Sequence, residues 1–318
     1  MQRLKVMAGP PLRMATLTMG IYDNSNSIKG TTRMRKSVSF VHKALFATTA
    51  ALISQMAAAQ DIPAGALGFS PVLDGDISEW SGASASTVSL VKTMPGGKSN
   101  IASVELKAGV AGDNFCIAAK WPDDSEDNQH KPYVWDDAAG KYVAGSQRED
   151  RFAIQFAMEG DYDTNWMSGN EFTADTWHWK AARSNPAGLA HDKSTKVSQT
   201  KMKKSYSGTA ENGSTIYIRR PSDAGDKLYK TKRYATKAEA VMPKYILAEN
   251  PQGSIADVKA KGVWKDGYWT LEACRSLNTG NADDVVFTPG QAVKGGIAIF
   301  DKSGDADHNH SAVLNFQL

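Results

Sequence analysis

Polar and apolar positions alternate in short runs along most of this chain, and the runs are separated by turns rich in Gly, Asp and Asn. Residues 102–110 alternate, turn at Ala111-Gly112-Asp113-Asn114, and return as residues 115–121. A period of two places every second side chain on the same face of a strand. The signal recurs at 150–158, at 262–265 and 268–275 around Asp266-Gly267, at 296–300 and at 312–316. No long run with a helical period of 3.6 stands out. Short strands with regular turn punctuation predict an all-β fold, a two-sheet sandwich of the immunoglobulin-like or jelly-roll type.

Two stretches depart from the alternation. From Trp121-Pro122-Asp123-Asp124-Ser125 to Trp135-Asp136-Asp137 runs a long polar loop with interspersed aromatic residues. Loops of this length are usually functional or flexible. It reads first as a solvated loop, with recruitment of a cation such as Ca²⁺ by its acidic pairs as the alternative. Residues 193–244 form a polar insertion with thirteen Lys/Arg against four Asp/Glu, a net of +9. A strand-like island at 214–219 interrupts it, and Tyr206, Tyr217, Tyr229 and Tyr234 are scattered through it. It reads either as a solvated excursion or as a docking surface that steers an acidic partner.

The N-terminal region changes the charge argument. Basic Arg35, Lys36 and Lys43 precede an apolar run at 44–53, and Ala57-Ala58-Ala59 supplies small residues before Gln60. This is the pattern of a secretory signal at 34–59, with residues 1–33 an extension ahead of it. The apolar run is too short to span a bilayer. The first 59 residues hold eight Lys/Arg and one Asp, so removing them takes the net charge from +3 to about −4. The excess of basic residues therefore belongs to the first 59 residues and gives no support for nucleic-acid binding. Residues 60–318 suffice for one large β domain. Cys116 and Cys274 both lie in strand-like runs. An oxidising compartment allows them to pair, and buried free thiols are the alternative.

Residues 165–183 hold a methionine, three tryptophans and a histidine, and Trp177-His178-Trp179-Lys180 alternates like a strand. On composition such residues read as core. The run Met167-x-Gly169 followed by Asp175-x-Trp177-His178-Trp179-Lys180-Ala181 resembles the haem-binding domain of the gamma subunits of ethylbenzene dehydrogenase and dimethyl sulfide dehydrogenase. The resemblance extends from about Leu73 to the C-terminus, except for the insertion. Leu73-Asp74-Gly75-Asp76 to Trp80 also resembles the opening of sandwich domains of the DOMON and family 9 carbohydrate-binding-module kind, although a plain structural turn is the preferred reading of it. The resemblance implies a periplasmic electron-transfer protein or subunit, without substrate conversion of its own. It implies non-covalent haem b and a redox partner, a molybdenum oxidoreductase or a cytochrome c. The absence of Cys-x-x-Cys-His excludes ordinary covalent c-type haem.

In the resembling subunits iron sits between a Met and a Lys that precedes the last strand. Met167 matches the first, and His310 of Asp307-His308-Asn309-His310 stands where the second falls. This departure keeps a competent donor, because imidazole is a common haem ligand. His308 is the alternative, and Trp177, Trp179 and His178 are expected to contact the cofactor. His191 and His130 are weaker candidates, and His308, His310 and Asp307 have no companion motif for zinc. No nucleophile elbow, His-Glu-x-x-His or Walker loop is present. The rival is a non-haem carbohydrate-binding module in which Trp80, Trp177 and Trp179 stack on sugar rings.

Overall fold

The computed structural model describes residues 59–318. The extension and all but the last position of the expected leader lie outside them. In chain order the strands are β1 (Gln60–Pro63), β2 (Ser86–Lys92), β3 (Ser103–Ala111), β4 (Asn114–Pro122), β5 (Tyr133–Asp136), β6 (Lys141–Ala144), β7 (Arg151–Gly160), β8 (Phe172–Lys180), β9 (His191–Ser198) and β10 (Tyr206–Thr209). They continue as β11 (Thr215–Arg219), β12 (Tyr229–Thr231), β13 (Val241–Met242), β14 (Tyr245–Leu247), β15 (Lys259–Lys265), β16 (Tyr268–Ser276), β17 (Ala292–Phe300), β18 (Asn309–Ser311) and β19 (Leu314–Gln317). Among the described residues the only helices are three short 3-10 turns, and no helix is long and apolar enough to cross a membrane. The all-β expectation holds.

The strands make two leaves. One runs β2-β3-β4-β16-β15; the other runs β10-β11-β9-β8-β7-β17. Strand β17 carries β19 along its first half and β18 along its second, and β18 also pairs with β2, joining the leaves. Between them lies the core. Leu106, Ile117, Trp121, Trp269 and Leu271 project from one leaf, and Phe152, Ile154, Phe156, Trp177, Trp179 and Ile297 from the other. Phe115 meets Phe156 edge-on at 5.5 Å, and Trp179 meets Trp269 at 5.0 Å. Each such aromatic pair adds about 0.5–1.5 kcal/mol to its area burial.

Cys116 and Cys274 face each other across the β4–β16 pair and are joined as a disulfide. Trp80 is buried beside them on the outer face of that leaf, its indole N–H donating to Glu272 Oε1.

The basic insertion is built into the sheet. Its first residues belong to β9, and β10 and β11 add two further strands at that edge. Its later part pairs β12 with β14, and β13 with β5 of the polar loop. That loop is thus not wholly irregular, since β5 and β6 form a hairpin within and after it.

Candidate functional site

Strand β8 is buried almost without interruption, which means that both its faces are covered. Its odd positions, Trp177 and Trp179, enter the core between the leaves. Its even positions, Thr176 and His178, face outward with Ala153 and Gln155 of β7, Lys193 and Thr195 of β9, and Gly296 and Ala298 of β17. The segment between β7 and β8 folds back over this outer face, bringing Tyr162, Thr164, Trp166 and Met167 over it. Its close seating requires Gly296, where a Cβ would fall 2.3 Å from Thr164 Cγ2. Between floor and cover lies a partly open cavity of about 190 Å³.

Met167, His178, His308 and His310 all line this cavity. They come from the covering segment, from β8, and from the tail at β18. Met167 rests against β10, where a Cβ on Gly208 would lie 3.1 Å from its sulfur. The rings form a row: His178 stacks on Phe300 at 5.7 Å, Phe300 on His308 at 4.6 Å, and His308 lies 6.2 Å from His310.

The tautomers follow from the partners. His310 Nδ1 lies 3.0 Å from the Ser311 carbonyl, and His308 Nδ1 lies 3.1 Å from the Asp305 carbonyl. A carbonyl only accepts, so each Nδ1 carries the proton and each Nε2 keeps its lone pair. Burial first, then His310, lowers the His308 pKa to about 4. His178 is held neutral by burial above all, and its buried Nε2 has no partner.

Polar groups complete the walls. Gln155 Nε2 donates to Thr176 Oγ1 at 3.0 Å and Thr195 Oγ1 at 2.8 Å, and the Tyr162 hydroxyl approaches Gln155 Oε1. Two cations line the edge. Lys193 Nζ donates to the Arg220 carbonyl, and burial followed by the Arg220 charge lowers the lysine pKa to about 8. Arg220 stacks over Trp166 at 5.6 Å.

Trp177 and Trp179, expected at the cofactor, instead lie in the core at 1% exposure each. The alternation of β8 decides this, because neighbours on a strand cannot share a face. His191 is elsewhere, with Nδ1 2.6 Å from the buried Lys180 amine and Nε2 2.8 Å from Ser222 Oγ. His130 lies 3.2 Å from Glu149. Lys193, Arg220, Gln155 and Phe300 escaped the sequence reading. Their only signal is parity on strands already expected, or membership of the insertion.

Fold and site together define a β-sandwich domain with a cavity on the outer face of one leaf, lined by one thioether and three imidazoles. The chain belongs to the ethylbenzene dehydrogenase family, whose profile matches residues 78–311. Among solved structures it is similar to a family 9 carbohydrate binding module from Caldicellulosiruptor kristjanssonii. In complex with cellotriose that structure is 10% identical, with 81% of this chain and 93% of that one covered and a TM-score of 0.36. In complex with glucose it is 10% identical, with 81% and 95% covered and a TM-score of 0.37. No curated protein matches.

Proposed function

We propose that this chain is an electron-transfer protein or subunit that holds one non-covalent haem b in the outer-face cavity, with Met167 and His310 as axial ligands. The observation that carries the reading is the convergence of two segments remote in sequence, one with Met167 and His178 and one with His308 and His310, on one cavity. A thioether and imidazoles with free Nε2 lone pairs are iron donors. Lys193 and Arg220 suit the carboxylates that such a cofactor carries.

Room is the demanding point. Cofactor pockets run from about 300 Å³ upward, so the segment 161–169 has to lift from Gly296 to admit a porphyrin. The bound group would supply a reversible one-electron change. Met167 would hold it and favour its reduced form, the imidazole would anchor it, and the covering segment would exclude water.

Two further features support the reading. The paired cysteines suit an oxidising compartment such as the periplasm. Most lysines and arginines of the insertion are exposed, including Lys201, Lys203, Lys204, Lys230, Lys232 and Arg233, a surface suited to an acidic redox partner. The sugar-binding alternative loses its stacking residues, since Trp80, Trp177 and Trp179 are buried at 0%, 1% and 1% exposure.

The test is a haemin titration of the purified full chain, with a pyridine haemochrome assay. One equivalent of haem b with a low-spin Soret spectrum is expected. A protein that stays colourless and develops no Soret band sinks the reading.

A further inference from the structure

Outside the cavity, two groups of three aspartates bring carboxylate oxygens within 4.8 Å of one another: Asp175, Asp192 and Asp284, and Asp123, Asp150 and Asp301. The first group has its counter-charge built in. Arg275 Nη1 lies 2.7 Å from Asp175, 3.1 Å from Asp192 and 3.1 Å from Asp284, all in the interior. Among the described residues, no guanidinium or amine occupies the middle of the second group. Its nearest cation, the half-exposed Lys302 amine, donates to Ser125 Oγ at 2.8 Å and stands 3.7 Å from Asp301 Oδ1 and 3.6 Å from Asp127 Oδ2.

We propose that Asp123, Asp150 and Asp301 form a divalent-cation site of the calcium type, which ties together the end of β4, the start of β7 and the end of β17. Asp123 is only 5% exposed, and its Oδ2 is buried with no hydrogen-bond donor. Asp301 Oδ1 is likewise buried and unsatisfied. A stranded buried acceptor is costly, the more so when charged, and two of them within reach of a third carboxylate mark a place for positive charge. Asp150 is aimed by its own partners: Oδ2 accepts from the Asp127 N–H at 2.8 Å and the Trp269 indole at 3.1 Å, and Oδ1 from the Lys302 N–H at 2.9 Å. Oδ2 has both lone pairs engaged, and Oδ1 keeps one for an ion.

The donors are all oxygen and mostly anionic. That set suits a hard cation of flexible coordination, Ca²⁺ before Mg²⁺, and offers nothing to a soft metal. Without a cation, burial above all raises the Asp123 pKa to about 6; burial and then Asp123 raise that of Asp150 to about 7. The site adjoins the cavity wall, because Asp150 precedes Arg151, Asp301 follows Phe300, and the Arg151 guanidinium lies 4.1 Å over the Phe300 ring.

Terbium tests this directly, because it replaces calcium and the Trp269 indole is placed to sensitise it. The full chain, stripped with EDTA, is titrated with Tb³⁺ under tryptophan excitation. Expected are emission saturating at one equivalent, displacement by Ca²⁺, and affinity reduced by about tenfold or more in Asp301→Asn. Asp266→Asn, on the exposed β15–β16 turn, is the control and binds as the wild type does. Absence of sensitised emission from the wild type overturns the proposal, as does equal affinity in Asp301→Asn. If the aspartates share a proton instead, no emission appears and Asp123→Asn is more stable than wild type in EDTA. Failure of that variant to fold leaves the wild-type titration decisive.

Discussion

At the scale of single residues the site turns on which nitrogen of each tail histidine is free. Both His308 and His310 spend Nδ1 on a backbone carbonyl, so tautomer does not separate them. Packing does. The His308 ring is stacked on Phe300 at 4.6 Å, whereas the nearest ring to His310 is that of His308, at 6.2 Å. His310 is therefore free to turn without breaking a stack, as the proposed haem ligation requires. Met167→Ala should leave haem bound through the histidine, shift the spectrum toward high spin and lower the potential, because a thioether favours the reduced iron. His310→Ala should cost haem affinity outright, since a lone thioether holds ferric iron poorly. His308→Ala should change the spectrum little. Loss of the low-spin spectrum in His308→Ala, with retention in His310→Ala, exchanges the two roles.

At the scale of elements, β8 shows both what the sequence makes legible and where it stops. Alternation identified the strand and placed His178 opposite Trp177 and Trp179. It cannot say which face lines the cavity and which the core, and the tryptophans attract a site assignment because they are aromatic. The outer face is roofed by a segment whose own sequence has no period, so Gln155, Phe300 and Arg220 stay hidden until the chain is folded. The insertion is a second case. Its composition reads as a solvated excursion, yet Ile216, Ile218 and Val197 are buried in a small apolar cluster, and its strands extend the leaf. Replacing Lys201, Lys203 and Lys204 with Gln removes exposed charge and leaves that cluster intact. Electron exchange with an acidic partner should then slow at low salt, with a flatter dependence on ionic strength. Unchanged stopped-flow rates would return the insertion to a purely structural role.

At the scale of the whole molecule, burial perturbs the titrating groups in two opposite directions. Buried carboxylates are raised: Asp223 reaches about 8, through burial first and then Asp283. Buried imidazoles are lowered: His130 falls to about 3, through burial first and then Arg183. A raised carboxylate gives stability that is lost as pH climbs from its unfolded value through its folded one; a lowered imidazole gives stability that is lost as pH falls from about 6.5. The two sets oppose each other in the acid range, so the stability profile of the wild type assigns neither. His130 can be isolated by difference. It lies 3.2 Å from Glu149, but burial and the surrounding arginines keep it neutral, so the contact is not an ion pair at pH 7. Its side chain is only 8% exposed, and its ring leans on Tyr245 at 5.7 Å, a packing that phenylalanine can keep. Wild type must take up one proton at His130 on unfolding below pH 6.5, and His130→Phe does not. Denaturant titrations of both proteins from pH 7.5 to pH 4 should therefore diverge. The variant should lose less stability, with the gap opening below about 6.5 and widening steadily toward pH 4. A constant gap across that range would mean that His130 titrates alike in the folded and unfolded chain, and that burial does not hold it neutral.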